Sequence, residues 1–106
     1  MTNASHALND RLRYAIANKH LIEICYHGSV RVAEPHDYGV HKGIERLLIF
    51  QLRDSVHAHN HSATGWRLLD TSQIEECLVL EKNFPGSRGL LHQSHLVWDV
   101  VYARVS

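Results

Sequence analysis

Apolar residues recur at helical spacing at Leu8, Leu12, Ala15 and Ile16. This predicts a helix over residues 6–18 with one apolar stripe. Asn3 or Ser5 can cap its start, and Asn18-Lys19 suits its end. The stripe is short, so the helix needs another element to pack on. From residue 21 the period falls to two. Ile22, Ile24 and Tyr26 share one face of a strand over 21–26. His27-Gly28-Ser29 reads as a hairpin turn, and 30–34 returns as the second strand. Pro35 halts it, because proline gives no N–H to a ladder. Residues 38–43 read as a connection with a turn at Lys42-Gly43. Residues 44–53 form the third and longest strand, whose near-continuous apolar middle predicts burial on both faces. A polar loop over 54–65 follows. Strands are predicted over 66–69, over 73–81 with Ile74, Leu78 and Leu80, and over 96–105. Between the last two, Phe84-Pro85-Gly86-Ser87-Arg88-Gly89 breaks regular structure. The alternation predicts that Ile22, Ile24, Leu48, Phe50, Leu78 and Val100 are buried.

One helix followed by five or six short strands is a mainly β pattern. It predicts a single domain over 1–106, with the helix at about 6–18 and a strongly bent sheet or barrel over about 21–105. The length of 106 residues and the 44% apolar fraction suit one modest core. Eleven basic residues balance eleven acidic ones, which disfavours non-specific duplex binding. Ten histidines make the net charge sensitive to pH. Cys25 and Cys77 lie in apolar strand-like runs and read as reduced thiols. The N-terminal residues lack a signal-peptide pattern, and no apolar run reaches membrane-spanning length. The expectation is a cytoplasmic protein.

Candidate chemistry gathers around Pro35 and around Gly65-Trp66-Arg67. Arg31 and Arg67 offer planar forks for phosphate or carboxylate. Tyr38 and Trp66 offer stacking faces, and His36 and Gln51 can hydrogen-bond an edge. These six residues suit a planar, anionic ligand; the competing reading is strand-end residues in which Arg31 and Arg67 pair with Glu34 or Asp70. His57, His59 and His61 could face one way on a strand and hold a metal. Their surroundings have loop composition, so weak and unspecific binding is expected. Neither a phosphate loop, a His-Glu-x-x-His nor a Cys-x-x-Cys is present. Asp54, Ser55 and His57 are neighbours on one loop rather than a scaffolded triad. No catalytic residue and no cofactor are expected, and the chain reads as a non-enzyme.

Ala15-Ile16, Ile22-Glu23-Ile24-Cys25-Tyr26 and Arg31-Val32-Ala33-Glu34-Pro35 resemble the opening of the WYL domain. Further along, Glu34-Pro35-His36, Tyr38-Gly39, Lys42-Gly43, Phe50-Gln51, Gly65-Trp66-Arg67, Ile74, Phe84 and Tyr102-Ala103-Arg104 follow in the order of small stand-alone WYL-like bacterial proteins. The likeness covers about residues 8–105. The Trp-Tyr-Leu that names the domain falls at Arg46-Leu47-Leu48, where only a leucine matches. The resemblance implies a small Sm-like or Src-homology-like barrel with a ligand-sensing, regulatory role. The ligand class it implies is a nucleotide or single-stranded nucleic acid. In larger relatives the domain follows a winged helix-turn-helix. One N-terminal helix is not such a reader, so DNA binding would come from a separate partner protein. The alternative is a protein-interaction or homodimerisation module whose open sheet edge pairs with a partner. An exposed apolar edge at 44–50 or 97–101 would favour that alternative.

Overall fold

A computed structural model describes residues 6–54, 64–89 and 96–106. The helix α1 spans His6–Asn18 and buries Leu8, Leu12, Ala15 and Ile16, the predicted stripe. Among the described residues six strands follow: β1 His20–Tyr26, β2 Ser29–His41, β3 Ile44–Asp54, β4 Gly65–Asp70, β5 Ile74–Asn83 and β6 Val100–Arg104. They form one antiparallel sheet in the order β4-β3-β2-β1-β5, with β6 on β2. The fold is thus mainly β with one N-terminal helix, and the sheet does not close into a barrel.

β2 organises the sheet, and it does not stop at Pro35. It pairs with β1 up to Ala33 and with β6 from Asp37, while β3 lines it from Arg31 to His41. Pro35 falls where the partner on one edge changes, so its missing N–H leaves no ladder bond unmade. His36 is an extra residue there, since Pro35 pairs with Ile49 and Asp37 with Leu48. Such a bulge bends a strand and re-aims its side chains. Residues 38–41 are therefore strand rather than connection. The turns are two residues long, His27-Gly28 and Lys42-Gly43, all with positive φ. That matches the type I′ hairpin geometry that suits twisted strands. A Cβ on Gly39 would run into the Val100 carbonyl, so glycine lets β6 approach β2.

Ile22, Ile24 and Leu48 are buried as predicted. Three other core expectations need correction. Leu78 is 56% exposed, and Cys77 takes the inward position instead. A bulge explains this: Cys25 pairs with Glu76 but Tyr26 with Ile74, which shifts the phase of β5. Val100 is 49% exposed, because an irregularity in β6 turns Tyr102 and Ala103 toward the core. Phe50 is half-buried. The core face of β3 carries Leu47 and Ile49, whereas Phe50 lies on the opposite face against Trp66.

Cys25 and Cys77 are free thiols. Burial pushes the Cys77 thiol up to about 11. The hydrogen bond to Glu75, then burial, raises that of Cys25. Neither is the ready thiolate that reactive cysteines need. Among the described residues no helix is long and apolar enough to cross a membrane.

Candidate functional site

The six expected ligand residues divide into three structural groups. Arg31, on the part of β2 that pairs with both β1 and β3, donates from Nη1 to Gln51 Oε1 at 3.0 Å. Its guanidinium also lies 5.3 Å from the centre of the Tyr26 ring. Gln51 is fully buried and donates to Asp54 Oδ2 at 3.1 Å. The Arg31–Gln51–Asp54 cluster is thus tied together inside the sheet, although Arg31 Nε is buried without a hydrogen-bond partner.

The second group surrounds Glu34. The bulge puts His36 beside it, with Nε2 3.0 Å from Glu34 Oε1. Arg88 from the Pro/Gly-rich segment donates to both carboxylate oxygens, each at 2.9 Å. Its guanidinium also lies 3.5 Å from the centre of the Phe50 ring, a cation–π contact. The fully buried His36 meets Trp66 edge-on at 4.8 Å and Phe84 at 5.5 Å. His36 therefore presents no edge to a ligand. The expected pairing of Arg31 or Arg67 with Glu34 or Asp70 is replaced. Arg88 takes Glu34, and Asp70 caps the turn Thr71–Gln73 by accepting from the Ser72 amide.

The third group holds Tyr38, which is sealed in the core rather than offered for stacking. Its hydroxyl donates to Glu45 Oε1 at 3.0 Å and accepts from Asn9 Nδ2 at 2.8 Å. Thr71 Oγ1 donates to the same Glu45 oxygen. Burial, then the Glu45 hydrogen bond, pushes the phenol well above its usual range. Asp37 takes Arg104 Nε at 3.0 Å.

Trp66 and Arg67 remain accessible. β4 ends the sheet, so one of its edges has no strand partner among the described residues. Trp66, Arg67, Leu68, Leu48 and Leu96 line a solvent-open cleft of about 190 Å3. Arg67 Nη1 donates to the Trp66 carbonyl at 2.9 Å and sits over Gly65, whose bare Cα leaves it room. Register places Arg31 and Arg67 on one face. Ala33 pairs with Gln51 and Gln51 with Gly65, and the arginines lie two residues from each end of that row. Trp66, paired with Phe50, takes the opposite face together with Leu48 and Leu68, so it is Arg67 that reaches the cleft from the other face of β4. The candidate site is consequently this cleft, not the six residues together.

Leu48, Arg88 and Leu96 escaped the sequence reading as site residues. Arg88 had a signal, a lone arginine in a breaker segment that could answer the buried Glu34. Leu48 and Leu96 had none, because their shared surface depends on β4 and the 96–98 segment lying together. His57, His59 and His61 lie outside the described residues. Among the described residues no group of His, Cys, Asp and Glu is arranged to hold a metal ion. No protein-family model, curated protein or solved structure matches the chain.

Proposed function

We propose that the chain is a non-enzymatic, regulatory ligand-binding domain whose ligand is a small planar anion held in the cleft at β4. The observation that carries this is the pairing of Trp66 and Arg67, a ring face and a guanidinium, on one open cleft. The cleft is smaller than the ~300–1,000 Å3 of drug-sized sites. It suits one base of a nucleotide or of a single strand, with its phosphate toward Arg67. The ordered motifs that resemble the WYL domain support the same ligand class. The test is a thermal-shift screen with mononucleotides and short oligonucleotides. A ligand at 100 times its Kd adds about 2.7 kcal/mol of stability. Arg67→Ala is expected to weaken that binding by about 1.5–3 kcal/mol, the scale of a charge-assisted hydrogen bond. An unchanged affinity in the variant contradicts the reading.

A second reading has its own observation. Val97, Val100 and Val101 are 79%, 49% and 41% exposed, so β6 and its approach present an apolar run to solvent. This favours an interaction or homodimerisation module. The other edge named by the sequence, 44–50, is buried between β2 and β4. A photo-cross-linking residue at position 97 is expected to give a discrete product on this reading. The same probe at exposed Arg11 is the control, and equal products at both positions contradict it.

A further inference from the structure

Two residues that line the cleft have neighbours with an unanswered nitrogen. Leu48 is two residues from Arg46 along β3, so the two share a face. Leu96 is two residues from Trp98. Arg46 Nε and Trp98 Nε1 are both buried without a hydrogen-bond partner, and so is His41 Nδ1. Packing and strand pairing link the three residues. Trp98 packs edge-on to His41, with ring centres 5.7 Å apart. Gly39 pairs with Arg46, and His41 lies two residues beyond Gly39 on the same strand. His41 itself is only 7% exposed. Buried N–H groups are rarely left unpaired, because nothing then offsets their desolvation. Arg46 Nε–H and Trp98 Nε1–H, each two residues from a leucine that lines the cleft, call for an acceptor.

We infer that the inner end of the cleft takes a carboxylate, so that the site binds a small planar carboxylic acid. The ring lies among Leu48, Leu68, Leu96 and Trp66. The carboxylate accepts from Arg46 Nε–H and Trp98 Nε1–H, both fixed donors, and from His41 when Nδ1 carries the proton. A carboxylate suits this end because its two oxygens answer two donors at once. The nitrogens are closed to solvent, so the acid enters along the open cleft. Residues 96–98 make no strand pairing before Asp99, whose amide donates to the Val40 carbonyl at 2.7 Å. That short segment shifts to admit the acid. The inference rests on the proposed ligand cleft and deepens it by naming a second anchor opposite Arg67.

The probe is benzoate, with benzyl alcohol as its neutral counterpart, followed by NMR of the two indole N–H signals of the whole chain. Benzoate is expected to move the Trp98 signal saturably, and benzyl alcohol is expected to bind at least tenfold more weakly. Arg46→Gln should weaken benzoate about tenfold. Trp98→Phe keeps the ring against His41, removes only the donor, and should weaken it about fivefold. Equal binding of acid and alcohol, or full affinity in both variants, overturns the inference. If nucleotides bind in an Arg67-dependent way and benzoate moves nothing, the acid site is wrong and the cleft stands. If neither class moves an indole signal, both fall.

Discussion

Glu34→Ala is expected to lower the unfolding free energy by about 2–4 kcal/mol in urea denaturation. The Glu34 carboxylate accepts from Arg88 Nε, Arg88 Nη2 and His36 Nε2. Its loss strands a fully buried imidazole and a guanidinium seated over Phe50. The Arg88 side chain is 29% exposed and can turn partly to water, so the cost falls short of a fully buried ion pair. Arg88→Ala should cost less, about 1–2 kcal/mol, because Glu34 keeps its His36 contact. A double-mutant cycle should then show coupling well above the additive error of about 0.5 kcal/mol. Additive losses would mean that residues 84–89 are not held by Glu34.

Leu12→Ala should cost about 2–5 kcal/mol, the range for a leucine removed from a closed core. Leu12 is fully buried, and α1 packs on β1, β2, β5 and β6. The sheet does not close on itself, so α1 supplies the cover that a barrel would find in its own strands. A loss of this size should lower Tm by ~8 °C or more in a thermal melt. Leu78→Ala, on the exposed side of β5, should stay within about 0.5 kcal/mol. Equal effects of the two substitutions would contradict both the docking of α1 and the phase of β5.

Periodicity made the helix and the strand count legible, because α1 and β1 follow their ideal periods. It misplaced Leu78 and Val100, since one bulged residue reverses which side faces inward. Pro35 was a sound breaker signal with the wrong consequence. Its effect depends on which edge loses a partner, and β2 changes partners there. The site was legible in part. Trp66 and Arg67 line the cleft, but His36, Tyr38 and Gln51 are polar residues held inside. Their acceptors and donors, Glu34, Glu45, Asn9 and Asp54, come from other elements or across a bulge. No spacing rule pairs Glu34 with Arg88, 54 positions further along the chain.

The most direct test of the cleft is amide and indole NMR during titration with a mononucleotide. The account predicts saturable shifts at the Trp66 indole and at the amides of Trp66, Arg67 and Leu68. Shifts confined to residues 97–101, or none at a millimolar excess of nucleotide, would contradict it.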